Sequence, residues 1–342
     1  MLTRSPRLII GMVIACFLFT QPAIAHENQG YSHDAEAKTS NPDWMAALKD
    51  STLVSQISFP GTHDTMSFYG GDIAQTQTMP LAAQLQSGVR VLDIRCRHIA
   101  DIFAIHHGIV FQEVFFGDVL NMARDFLKDH PGEAVLMRVK EEYDPEKNTR
   151  TFEETFRDYY WANWKSLFWQ PTSDNPTLGE IRGKVVVLQN FSASQKYGIN
   201  YNSFSTQDEY HLDTNWDLYD KWTAVVKQLT AANQGSSSTK YMNYLSGSGG
   251  SFPYFVASGH SSPGTSAPRL ATGRTTPGWK DSWPDFPRVN CFIGICTIAF
   301  EGTDVLTYEH LNKYNRVGTI MADFPGPGLI KRIIDLNKSF SK

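Results

Sequence analysis

Apolar residues recur along this chain in two alternating rhythms. Short segments with alternating or unbroken apolar positions read as strands: "LVSQISF", "VRVLDIRCR", "IFAIHHG", "EAVLMRVK", "KVVVLQNF", "KYMNYLS" and "RVGTIMADF". Between them, "PLAAQLQSG" reads as a short helix stopped by Gly88. "FGDVLNMARDFLKDHPG" repeats its apolar positions at helical spacing and halts at Pro131-Gly132. Strands alternating with helices predict a mostly parallel α/β sheet, either a barrel or a doubly wound fold. No Gly-rich fingerprint follows the first strand, which weighs against a dinucleotide-binding fold.

Period-two alternation then assigns faces. In "VRVLDIRCR", Val91, Asp93, Arg95 and Arg97 share one face, and Leu92, Ile94 and Cys96 the other. Leu136, Arg138 and Lys140 share a face, as do Val317, Thr319, Met321 and Asp323. Each strand thus turns polar on one side towards its C-terminal end. Buried charge is costly unless paired, and the C-terminal mouth of a parallel barrel is where such ends converge.

"SFPGTHDTMS" puts His63 and Asp64 just past the first strand, with Pro60-Gly61 read as the turn, and "IHHG" puts His107 at the end of the third. His63, Asp64, Arg95, His107, Lys140 and Asp323 form a constellation suited to acid-base chemistry on an anionic group, above all a phosphodiester. Metal catalysis is the competing reading; it needs a carboxylate cluster, and Arg95 would repel a cation beside His63. The bland readings are a capped turn at Thr62-His63-Asp64, a structural member of the His106-His107 pair, and Arg97 and Arg138 pairing with Asp93 and other inward carboxylates. The other seven histidines read as surface or packing residues.

Composition frames this chemistry. The 342 residues are 41% hydrophobic and 19% charged, enough apolar material for a large core. A formal net charge of -4 without a basic stretch weighs against nucleic acid as a partner. The N-terminus carries Arg4 and Arg7, a short apolar run and "PAIA", which reads as a secretory signal peptide over 1–25 cut after Ala25. The run falls short of the ~20 residues that span a bilayer, and it continues past Cys16, which disfavours a lipoprotein. Residues 26–45 read as a polar tether, and 46–342 as one catalytic domain. Cys291 and Cys296 are placed to close a small hairpin, leaving Cys96 a buried free thiol. The Ser-, Gly- and Pro-rich stretch 246–287 reads as a rim loop or lid, with Trp279 and Trp283 near its end.

"SFPGTHDT", "GVRVLDIRCR", "IHHG", "FLKDHPGEAVLMRVKEEY", "LGEIRGKVVVLQ" and "RVGTIMADF", in this order, resemble the bacterial phosphatidylinositol-specific phospholipases C from about Leu53 onward, with an extra segment within 246–302. The resemblance implies a distorted TIM barrel that cleaves phosphatidylinositol by internal 2-hydroxyl attack, giving diacylglycerol and inositol 1,2-cyclic phosphate. It implies His63 as general base oriented by Asp323, His107 as general acid assisted by Asp64, and Arg95 on the phosphate. Lys140, Asp208 and Tyr210 match its inositol-contacting residues. The eukaryotic enzymes are also similar through "GVRVLDIRC", and their calcium-ligating positions fall at Arg95 and Asp64, which implies catalysis without a metal or other cofactor. The expected partner is phosphatidylinositol in a membrane, met transiently by a secreted monomer. Two departures stand out: Gln189-Asn190 replaces a basic inositol contact, and "YGGDIAQTQTMP" lacks a Trp-bearing helix, a place that Trp279 and Trp283 would take.

Overall fold

The computed structural model describes residues 29–342. The signal-peptide reading and Cys16 lie outside them. Strands β1 (Phe59–Thr62), β2 (Val91–Ile99), β5 (Val135–Glu141), β6 (Val185–Asn190), β7 (Gly198–Asn200), β8 (Ser205–Gln207), β10 (Tyr241–Tyr244) and β15 (Thr319–Ala322) pair in parallel, in the order β7-β6-β5-β2-β1-β15-β10-β8. The run curls into an incompletely closed, distorted TIM barrel, ending at β7 on one side and β8 on the other. Strands β3 (Ile102–His107) and β4 (Val110–Phe115) extend β2 as an antiparallel flap. Helices α1 (Leu81–Ser87), α2 (Phe116–Asp129), α3 (Phe152–Thr155), α4 (Leu178–Ile181), α5 (Leu218–Gln234), α6 (Pro253–Ser258), α7 (Thr303–His310) and α8 (Pro327–Asp335) surround it.

The alternation read from the sequence is the division of the core. Leu92, Ile94 and Cys96 of β2 and Met137 and Val139 of β5 pack outward against α1 and α2. Val91, Leu136, Val186, Met242 and Met321 fill the barrel interior. Helix α2 buries Phe116, Val119, Leu120, Ala123 and Leu127, one stripe at helical spacing. Register carries the polar residues along: β2 and β5 set Asp93 opposite Arg138 and Arg95 opposite Lys140.

The first strand differs from its sequence reading. Val54–Gln56 form a 3-10 turn, and the strand runs Phe59–Thr62 with Pro60 and Gly61 inside it. Pro60 is tolerated between two strands because it uses only its carbonyl, which accepts from Arg90 N at 2.9 Å. Gly61 is needed for close approach: a Cβ there would lie 2.5 Å from Met321 Sδ and 3.0 Å from Val91 Cβ.

Two other regions are more ordered than their composition suggests. From Gln29 the polar N-terminal segment lies along the barrel, with Tyr31 fully buried and its hydroxyl donating to Pro263 O at 2.6 Å. The stretch read as a lid begins with β11 (Ser248–Gly249), paired with β9 (His211–Leu212), and continues through α6. It then supplies β12 (Ala271–Thr275) to an antiparallel sheet that β13 (Arg288–Phe292) and β14 (Ile295–Ala299), just beyond it, complete. Cys291 and Cys296 are disulfide-bonded at the β13–β14 tip, and Cys96 is a buried thiol. Among the described residues no helix is long and apolar enough to cross a membrane.

Candidate active site

The C-terminal ends of β1, β2, β5 and β15 open into a cavity of about 420 Å³, lined by His63, Arg95, His107, Lys140, Asp208 and Asp323 among others. His63 directly follows β1 and Asp323 directly follows β15; β1 and β15 pair in register, so the two side chains meet at the rim. His63 Nδ1 lies 2.8 Å from Asp323 Oδ1, and His63 Nε2 lies 2.7 Å from Arg95 Nη2. A guanidinium can only donate, so Nε2 is the unprotonated nitrogen and Nδ1–H donates to Asp323. Burial, then the Arg95 charge, hold His63 well below the usual histidine range. The residues immediately after both partners, Asp64 (φ 42°) and Phe324 (φ 51°), have left-handed backbone, a conformation that costs a non-glycine residue ~1–3 kcal/mol and concentrates at functional sites.

Arg95 is fixed from beneath. Its Nε and Nη2 donate to Asp93 Oδ2 at 3.2 and 3.1 Å, and its Nη1 stands 3.5 Å from Asp64 Oδ2. Asp93 Oδ1 in turn accepts from Arg138 at 3.2 Å. Burial alone would raise Asp93, but the Arg95 and Arg138 charges hold its carboxyl far below the ordinary range. Arg138 therefore pairs with Asp93, whereas Arg97 pairs with Glu146 at 3.2 Å.

His107 faces the same cavity from β3. Its Nδ1 donates to Ala74 O at 2.7 Å and lies 3.3 Å from Asp64 Oδ2 and 3.1 Å from Ser67 Oγ. Asp64 is fully buried, which pushes its carboxyl up to about 6 against the pull of Arg95 and His107. The closest partner of His107 is thus a backbone carbonyl, with Asp64 standing behind it.

Lys140 donates to Glu142 Oε2 at 2.8 Å at the cavity wall. Asp208, whose carboxyl burial raises, and Tyr210, half-exposed, come from the β8–β9 connection. All eight residues singled out from the sequence therefore converge. Arg138, Glu142, Thr76 and Ser246 also line the cavity. Glu142 was findable, since it extends the 138, 140, 142 alternation by one step; Thr76 and Ser246 sit on loops without periodicity. Gln189 turns away to accept from Tyr197 N at 2.9 Å, while Asn190 Oδ1 accepts from Arg138 Nε at 2.8 Å. A guanidinium from the neighbouring strand thus leans over the position where the family pattern has its basic residue.

Residues 56–191 match the family model "Phosphatidylinositol-specific phospholipase C, X domain". The chain is 35% identical over 291 residues to a 1-phosphatidylinositol phosphodiesterase of Staphylococcus aureus (strain Newman), covering 73% of this chain and 91% of that protein. The protein of the same name from Listeria monocytogenes is 31% identical over 218 residues, covering 60% of this chain and 67% of that one. A solved Staphylococcus aureus phosphatidylinositol-specific phospholipase C superposes with a TM-score of 0.66 at 26% identity, over 89% of this chain and all of that one. The Listeria monocytogenes enzyme gives 0.62 at 25% identity, over 88% of this chain and all of its own. With the sequence and the barrel agreeing over this span, the chain belongs to the bacterial phosphatidylinositol-specific phospholipase C family.

Proposed function

We infer that this protein cleaves phosphatidylinositol by intramolecular attack of the inositol 2-hydroxyl on phosphorus. His63 Nε2 takes the hydroxyl proton, the new O–P bond forms, and the bond from phosphorus to the glycerol oxygen breaks. His107 gives that oxygen a proton through Nε2, its Nδ1 being occupied by Ala74 O. Arg95 neutralises the non-bridging oxygens. The products are diacylglycerol and inositol 1,2-cyclic phosphate, the latter opened more slowly by water. Lys140, Asp208, Tyr210 and Arg138 hold the inositol ring.

The observation that carries this reading is the tautomer of His63, which has its proton on the Asp323 side and its lone pair on the cavity side. An incoming phosphate competes for Arg95 and frees that lone pair for the hydroxyl. The guanidinium supplies at the phosphate the positive charge that a cation would otherwise provide, so the reaction runs without a metal. The enzyme acts outside the cell as a monomer that meets the membrane transiently. Phosphorus NMR on phosphatidylinositol vesicles with excess chelator tests this. A cyclic-phosphate signal that grows in chelator is expected; turnover only after divalent metal is restored would overturn it.

A further inference from the structure

The antiparallel sheet ends in a feature that packing does not explain. Phe292 pairs with Ile295, so Ile293-Gly294 is a two-residue hairpin loop, and both have positive φ, 47° and 77°. This is a type I′ turn, whose first position favours Asn, Asp or Gly. A β-branched residue there is strained. Ile293 recovers nothing by burial, being 83% exposed, with Phe292 at 75% and Ile295 at 53%. The Cys291–Cys296 bond clasps the pair directly beneath. The tip stands clear of the sheet: β12 ends opposite Thr297, so Gly294 lies ~10 Å further out at about 3.3 Å per strand residue.

Below the tip the character changes. Trp279 stacks on Trp283 at 5.8 Å, and Arg274 lies over Trp279 at 4.5 Å and over Trp216 at 5.9 Å. Lower still, Phe286, Ile298 and Phe300 are buried in the core. Aliphatic and aromatic tip, then Trp-Arg belt above the buried root: this is the order of polarity met on passing from a bilayer's hydrocarbon core to its surface. The belt also stands beside the mouth. Trp216 lines a cleft of about 820 Å³ with Ile73, Phe252 and His107, the last shared with the catalytic cavity.

We propose that the Cys291–Cys296-clasped tip, Phe292-Ile293-Gly294-Ile295, is a membrane anchor that inserts into a phospholipid bilayer and sets the His107 side of the mouth against the lipid surface. This locates the membrane contact at the tip; Trp279 and Trp283 form the interfacial belt under it. The strain at Ile293 is then the cost of placing an apolar side chain at the outermost point. The partner is a bilayer because the proposed substrate, on which the inference rests, lies in one.

The test is co-sedimentation with pure phosphatidylcholine vesicles, which contain no substrate. Phe292→Ser with Ile293→Ser should lower the partition coefficient on the order of tenfold to a hundredfold. Turnover of dispersed short-chain phosphatidylinositol should be unchanged. Ile293→Asn should bind vesicles more weakly yet melt at a higher temperature, a combination a structural role would not give. Wild-type vesicle affinity in these variants would overturn the proposal. So would a concentration-dependent dimer that Phe292→Ser abolishes while vesicle binding persists. Failure of the catalytic reading shows separately, as wild-type protein that binds vesicles but turns over no soluble substrate.

Discussion

Arg95 reaches His63 directly: the guanidinium Nη2 lies 2.7 Å from the imidazole Nε2. The contact fixes the tautomer and opposes protonation of the ring, acting in the same direction as burial. Arg95→Gln removes the charge, so the His63 pKa should rise and the acid limb of the kcat/KM profile should move to higher pH. On the role proposed for Arg95, phosphate charge is also left uncompensated, a loss on the order of 10²–10³ in rate. A pH-rate profile with its acid limb unmoved would separate Arg95 from the base.

The two histidines are held differently, and this predicts unequal mutants. His63 Nδ1 has Asp323 as its hydrogen-bond partner at 2.8 Å, whereas His107 Nδ1 has Ala74 O at 2.7 Å with Asp64 further off at 3.3 Å. In the proposed mechanism Asp323 orients the base and stabilises its protonated form, so Asp323→Asn should lower kcat on the order of 10²–10⁴. Asp64→Asn leaves the carbonyl in place and should cost less. Single-turnover rates of the two variants decide the order.

Much of this site was legible because strand alternation is a strict period. Asp93 and Arg95 on β2, Arg138 and Lys140 on β5 and Asp323 after β15 fell on the barrel-facing side by counting in twos, and the parallel register then stacked them. What counting could not give was the full set of partners: Arg138 takes not only Asp93 but also Asn190 and the Tyr244 hydroxyl, which only the curled barrel brings together. The start of β1 was misplaced because Pro-Gly usually breaks a strand, and only the thin approach of β15 and β2 explains Gly61. Of the sheet over 271–299 only the tip was legible, where Cys291 and Cys296 read as closing a hairpin; β12 lies in the Ser-, Gly- and Pro-rich stretch, which has no strand alternation.

That close approach makes Gly61 a test of the barrel. A methyl group at 61 would press on Met321 Sδ and Val91 Cβ from both neighbouring strands. Met321 is itself buried in the interior and cannot swing into solvent. Gly61→Ala should destabilise the fold by ~1–3 kcal/mol, as overpacked cores do. Urea unfolding with an unchanged m-value checks it, and wild-type stability would mean that β1 is looser than this register implies.

Lys221 gives a pH signature of its own. It is buried on α5, donates to Gln207 Oε1 at 3.2 Å, and burial brings its pKa from 10.5 down to about 8 despite Asp208, Asp323 and Glu209 nearby. The unfolded chain therefore binds this proton more tightly than the folded one. Below pH 8 the group opposes folding at full strength, and the cost disappears as pH rises from 8 to 10.5. A shift of that size corresponds to ~3 kcal/mol. Lys221→Met removes the titrating group and should be more stable than wild type at pH 7, with the difference shrinking as pH passes 8 and gone near 10.5. Paired denaturation curves across this window measure the difference directly, and a pH-independent gap between the two proteins would show that the fold leaves the Lys221 pKa where the unfolded chain has it.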